Sequence, residues 1–118
     1  MLQRRALLLA LAAIPFAAPA RAGSPWRQTG RASWYRAHQG ITASGARQAA
    51  DALTAAHRSL PFGSRIRVTN LRNGRSLEVI VTDRGPFTRG RILDVSEASA
   101  RRLGFLAAGT AEVLVETA

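Results

Sequence analysis

At 118 residues, with 17 basic and 7 acidic side chains and a formal net charge of +10, the chain has room for one domain at most. It contains no cysteine, which excludes disulfide staples and a lipid-bearing cysteine behind an export signal. A basic balance of this size suits an anionic partner (cell-wall polymer, membrane surface or nucleic acid) without choosing among them.

Residues 1–22 read as a cleaved export signal. Met1-Leu2-Gln3-Arg4-Arg5 is a short positive segment, Ala6 to Phe16 is apolar with no polar face, and Ala20-Arg21-Ala22 supplies the small residues that a signal peptidase reads. The apolar run is too short for a permanent membrane span, which needs about 20 residues. The Arg4-Arg5 pair also raises twin-arginine export. Removing Arg4, Arg5 and Arg21 leaves 14 Arg against 7 acids, so the mature charge is +7, carried without a single Lys. A mature chain of about 96 residues buries only some 60–70 % of its unfolded surface and must stand on its own core.

In chain order, residues 23–29 read as a tether, and Gly30-Arg31-Ala32-Ser33-Trp34-Tyr35 as a strand with its two aromatics on opposite faces. Residues 36–51 form a polar loop containing Thr42-Ala43-Ser44-Gly45, and residues 53–57 are ambiguous between strand and helical turn. Leu60-Pro61-Phe62-Gly63 is a turn. Arg65 to Thr69 alternates with period two, and Asn73-Gly74 marks a hairpin into Ser76-Leu77-Glu78-Val79-Ile80-Val81. That second strand ends at Thr82-Asp83-Arg84-Gly85-Pro86-Phe87, where Gly-Pro forces a turn directly behind a carboxylate. Arg91 to Val95 is a further strand. Ser96 is placed to cap a short helix running through Leu103, with Glu97 in its first turn and Gly104 ending it. Residues 111–116 alternate again. Several short strands with one small helix predict a compact mainly-β barrel or sandwich.

The motifs Gly30 to Tyr35, Thr42 to Gly45, Leu53-Thr54-Ala55-Ala56-His57-Arg58, Leu60 to Gly63 and Arg65 to Leu71 stand in a fixed order. Asn73 to Ser76, Asp83-Arg84-Gly85-Pro86-Phe87, Arg89 to Ser96 and Ala100 to Gly104 continue it. Together they resemble the RlpA-like (rare lipoprotein A) family over residues 30–116. The resemblance implies a six-stranded double-psi β-barrel with one or two short helices, as in expansins and barwin. It further implies cleavage of peptidoglycan glycan strands at N-acetylmuramic acid by a lytic transglycosylase, with a preference for strands free of peptide stems. The family's functional Glu, His and Asp carry over onto Ala46, His57 and Asp83, so the first position has lost its carboxylate. The Phe usual two positions later is Gln48, Arg36 stands where Gly is common, and the loop before Thr42 is short. Asp51 is the other acid nearby in sequence. The lipidated cysteine and the C-terminal SPOR domain of the family are not found in these residues.

A lytic transglycosylase uses the substrate's own C6 hydroxyl as nucleophile, so one carboxyl that acts first as acid and then as base suffices. An ordinary aspartic acid, pKa about 3.9, is protonated in about one molecule in a thousand at neutral pH, so the role asks for a desolvated group. Asp83 is the expected acid, with His57 assisting proton transfer or holding it. Trp34, Tyr35, Thr42, Ser44 and Arg84 are the expected substrate contacts, Arg84 turned toward a substrate carboxylate. Asp94 is expected to brace its strand–helix junction, and His38 has no partner at metal-ligand spacing. No metal, cofactor, nucleic acid or stable membrane span is expected. The expectation is therefore a periplasmic or secreted monomer, without a lipid anchor, that acts on glycan strands. The competing expectation is a non-catalytic, expansin-like polysaccharide-binding module, which Ala46 favours.

Overall fold

A computed structural model describes residues 26–36, 40–45 and 47–118. The export signal, the first residues of the tether, His38 and Ala46 lie outside the described residues. The elements are β1 (Arg27–Tyr35), β2 (Gly40–Ile41), β3 (Arg47–Gln48), β4 (Thr54–Ala56), β5 (Arg65–Asn70) and β6 (Ser76–Asp83). They are followed by β7 (Arg91–Ser96), α1 (Glu97–Leu103) and β8 (Thr110–Thr117). Six strands close into a barrel in the order β1-β7-β4-β6-β5-β8, while β2 and β3 pair separately. The mainly-β barrel with one short helix thus agrees with the expected fold class.

Period-two alternation builds the wall. In β5, Ile66 and Val68 are buried while Arg65 and Arg67 are exposed. The inward residues of the other strands, Val79, Val81, Leu93, Val95, Val113 and Val115, complete the core with Leu103 and Phe105. Each such side chain contributes about 1.5–3 kcal/mol by leaving water. The ambiguous segment resolves as strand, because Thr54–Ala56 lies between β6 and β7 and must be extended to bond both. Residues 27–29, expected in the tether, belong to the barrel instead: Arg27, Gln28 and Thr29 pair with Glu116, Val115 and Leu114 of β8. Within the expected loop 36–51, β2 and β3 form a small antiparallel pair.

Ser96 accepts a hydrogen bond from Ser99 N as the N-cap of α1. Gly104, at φ 82°, ends the helix, its N–H donating to Arg101 O and that of Phe105 to Ala100 O. The β5–β6 hairpin reaches over this helix end, where Asn70 and Asn73 both donate from Nδ2 to Leu103 O at 2.9 and 3.0 Å. Helix and barrel are therefore joined through otherwise orphaned carbonyls.

Candidate active site

The β4–β6 register advances from Ala55↔Val81 to Ala56↔Asp83, so Thr82 and Asp83 together oppose Ala56. Val79 and Val81 point into the core, and strict alternation would send Asp83 after them. The extra residue turns the carboxylate out onto the face of Ala56. Thr82 stays buried, and its Oγ1 has no hydrogen-bond partner among the described residues.

A row of paired residues then runs around the outside of the barrel at this level. Asp83 pairs with Ala56, Ala56 with Asp94, Asp94 with Ser33, and Ser33 with Thr110. Two strand spacings put the Cα atoms of Asp83 and Asp94 about 10 Å apart, with only a methyl group between them. Asp94 is firmly held: Ser33 Oγ donates to its Oδ1, and Arg91 Nη1 reaches both Ser33 Oγ and Asp94 Oδ1, the latter at 3.4 Å. Asp94 was expected to brace the strand–helix junction; its side-chain contacts tie β7 to β1 instead. The lateral alignment with Asp83, however, was illegible without the register of β4.

Asp83 itself is half-buried and carries no ion pair among the described residues. The Thr42–Gly45 segment folds down upon it, Ala43 N donating to Asp83 Oδ1 at 2.7 Å and Ser44 N to Thr82 O at 2.9 Å. Thr42 Oγ1 and Ser44 Oγ lie 2.8 Å apart in that segment. One carboxyl oxygen is thus anchored, and no hydrogen bond reaches Oδ2 from the described residues.

His57 sits beside Asp83 through the backbone, its N–H donating to Asp83 O at 3.0 Å. Its ring turns elsewhere. Nδ1 accepts from Ser59 N and Leu60 N, each at 3.1 Å, so the ring proton lies on Nε2, which donates to Gln28 Oε1 at 3.0 Å. Trp26 meets the ring edge-on, the centroids 5.5 Å apart. Burial, then the Arg84 and Arg58 charges, hold the imidazole below its ordinary pKa of 6.5.

Those two arginines lace adjacent loops together. Arg84 Nη1 donates to His57 O and Leu60 O at 3.2 and 2.8 Å, and its guanidinium lies 4.0 Å over the Phe62 ring. Arg58 reciprocates from the other loop, donating to Pro86 O, Thr88 O and Arg91 O at 2.7, 3.3 and 2.9 Å. Arg84 was expected toward the substrate; its Nη1 ties the β6 end to the loop of His57 and Leu60. Tyr35 and Trp34 do take opposite sides of β1. Tyr35 OH lies 2.6 Å from Thr54 Oγ1, whereas Trp34 packs on the core and donates from Nε1 to Leu106 O at 3.1 Å. Phe87, by contrast, is 79 % exposed at the tip of the loop that Arg58 holds. Glu78 stands five residues back along β6, about 17 Å away, and is paired with Arg65, so it is no second acid for Asp83. Asp51 is exposed on the turn before β4. Among the described residues no cluster of His, Asp or Glu could hold a metal ion, and no helix is long and apolar enough to cross a membrane.

Comparison with known proteins gives a consistent picture. The chain is 55 % identical over 91 residues to the probable endolytic peptidoglycan transglycosylase RlpA of Nostoc, an alignment covering 74 % of this chain and 24 % of that one. It is 54 % identical over 91 residues to the endolytic peptidoglycan transglycosylase RlpA of Neisseria meningitidis, covering 75 % and 38 %. With the Pseudomonas aeruginosa protein of that name the identity is 48 % over 93 residues, covering 77 % and 27 %. The chain thus spans only a quarter to two fifths of these relatives' length. Among solved structures, a mutant expansin of Clavibacter michiganensis in complex with cellohexaose superposes with a TM-score of 0.64 at 27 % identity, covering 79 % of this chain and 50 % of that one. A Streptomyces papain inhibitor, at 24 % identity and a TM-score of 0.62 over 78 % and 93 % of the two chains, shares the fold. These likenesses make the six-stranded barrel a double-psi barrel. Residues 27–115 match the description Lytic transglycolase, and the chain belongs to that family.

Proposed function

We propose that the chain cleaves peptidoglycan glycan strands outside the cytoplasm as a lytic transglycosylase, with Asp83 as its acid and base. The observation that carries this reading is the state of the Asp83 carboxyl: turned out of the core by the extra residue in β6, anchored at Oδ1 by Ala43 N, and with no hydrogen bond to Oδ2 from the described residues. The protonated carboxyl gives its proton to the glycosidic oxygen as the bond to the muramic C1 breaks. The C6 hydroxyl of the same sugar attacks C1, and the Asp83 carboxylate takes the hydroxyl proton. The products are a 1,6-anhydromuramyl end and a free 4-hydroxyl, and Asp83 is again protonated. No water molecule has to be positioned, which suits a site in which the family Glu is Ala46. Asp94 lies on the same face across Ala56 and bears on the positive charge that develops at the anomeric carbon. Tyr35 and the Thr42–Ser44 segment line the approach. We assign His57 a structural role, because both of its ring nitrogens are hydrogen-bonded within the chain.

Digestion of purified stem-free glycan strands, followed by mass spectrometry, tests the reading. Anhydromuramyl ends are expected with the native chain and absent with Asp83→Asn. The competing reading, a glycan-binding module that does not cut, rests on Ala46 and on the likeness to expansin. Retention on insoluble peptidoglycan with no anhydro ends after days of incubation would establish it instead.

A further inference from the structure

We propose that the β5–β6 turn and the last turn of α1 form a docking surface for an anionic phospholipid membrane. This goes beyond the glycan-strand reading and does not depend on the chemistry at Asp83. Leu71, Arg72 and Arg75 are exposed on the turn, and Arg101 and Arg102 are exposed at the helix end. The two segments are fastened together. Asn70 and Asn73 both donate to Leu103 O, and Arg75 Nη1 donates to Arg102 O at 3.3 Å. The turn is also fixed to β8, Leu71 N donating to Glu112 O at 3.0 Å, and to itself, Gly74 N donating to Asn70 O at 2.8 Å. Four arginines are thus gathered on one braced end of the barrel.

Their charge is not spent within the chain. Arginines in the last turn of a helix ordinarily serve its unpaired carbonyls, but here those carbonyls have other donors. Ala100 O and Arg101 O take the N–H groups of Phe105 and Gly104, Arg102 O takes Arg75, and Leu103 O takes the two asparagines. Glu97 offsets Arg101 at 3.3 Å, and the Glu112 carboxylate is engaged by Arg31 at 3.6 Å. The side chains of Arg72 and Arg102 make no ion pair or hydrogen bond with any described residue. A planar guanidinium takes a phosphate through two parallel N–H···O bonds. A soluble phosphate polymer would satisfy the arginines and leave Leu71, 53 % exposed, in water. A phospholipid surface takes both, with headgroup phosphates at the arginines and the Leu71 side chain at the boundary between headgroups and acyl chains. Ser76, where β6 leaves the turn, is about 23 Å along the strand from Asp83, so a chain docked here keeps its cleft free.

The absence of cysteine supplies the test. Leu71→Cys gives the full chain a single thiol for an environment-sensitive dye, and Ser59→Cys, exposed on the loop after His57, gives the control position. Each labelled chain is titrated with vesicles of phosphatidylcholine alone and of phosphatidylcholine with about one third phosphatidylglycerol. The dye at position 71 is expected to shift to the blue on the anionic vesicles, and to lose that response in about 0.5 M salt. The dye at position 59 should not respond, and residues 1–22 are common to both chains. Each guanidinium beside an anionic surface is worth about fivefold in affinity, so adding Arg72→Gln and Arg102→Gln should raise the lipid needed for half response about thirtyfold. Those side chains hold nothing in the fold, since Arg75 grips Arg102 by its carbonyl. No shift on anionic vesicles, an equal shift on neutral ones, an equal response at both positions or an unchanged midpoint in the doubly substituted chain would each overturn the proposal. So would a DNA duplex or soluble polyphosphate that shifts the dye as far as the vesicles do.

Discussion

Asp83 and His57 are joined by a backbone hydrogen bond and both stand in motif positions, yet the fold treats them in opposite ways. The His57 ring is buried and its two nitrogens are filled by Ser59, Leu60 and Gln28. Asp83 is half-buried, with one oxygen anchored and the other without a hydrogen bond from the described residues. A titratable group whose hydrogen-bonding capacity is consumed by its own chain stabilises structure, whereas spare capacity facing a cleft is what chemistry requires.

Substitution at each of the two residues should separate these roles. Asp83→Asn is expected to lower the yield of anhydro ends by about 10²–10⁴-fold, the usual contribution of a general acid. Its melting temperature should hardly move, because the amide oxygen still accepts from Ala43 N. Full cleavage by this variant would end the distinction. His57→Ala should behave in the opposite sense, costing about 2–4 kcal/mol by emptying a packed site and orphaning two N–H groups. Urea denaturation measures that loss, and cleavage assayed well below the melting temperature should survive it. A stable but inactive His57→Ala chain would show that the ring does act in catalysis.

Acidity sharpens the contrast. The folded His57 pKa lies below its unfolded value of 6.5, so the unfolded chain binds more protons in the window between the two. The stability that neutral His57 provides is complete above pH 6.5 and is lost as pH falls through that window, with a slope of up to about 1.4 kcal/mol per pH unit. Adding the proton at Nδ1 would set it against two N–H donors, which is the structural side of the same effect. Denaturation midpoints of the native chain and His57→Phe, followed from pH 7.5 to 5, should converge on acidification; parallel curves would contradict this. The smallest effect is expected at Thr82→Val. Replacing a buried hydroxyl that has no partner among the described residues by a methyl group should raise stability by up to about 1 kcal/mol, seen as a higher melting temperature with cleavage unchanged.

Much of the fold was legible in the sequence because its signals are local. Alternation marked β5 and β8, Ser96 and Gly104 bounded α1, and Asn73-Gly74 marked the hairpin. The site was less legible because its determinants are relations between strands. Asp83 stands in a motif legible in the sequence, but its outward aim depends on a register shift against β4, a segment too short for periodicity to classify. The partners of His57 were hidden for a similar reason: Gln28 lies in a stretch whose Gly, Ser and Pro read as a tether, though β8 pairs with it. The bracing by Arg84 and Arg58 runs to backbone carbonyls, which leave no trace in side-chain identity.

The placement of β8 between β1 and β5 also bears on how the chain reaches its native state. Arg27 and Glu116 meet across 89 positions of sequence, and neither β1 nor β5 loses its exposed edge until the last strand arrives. Closure therefore comes late and depends on remote contacts, which favours folding in milliseconds to seconds over the microseconds typical of helical bundles. During that interval two unpaired edges invite pairing with other chains. The arginines at Arg27, Arg31, Arg65 and Arg67, spaced along those strands, give the open sheet a charge that keeps such chains apart.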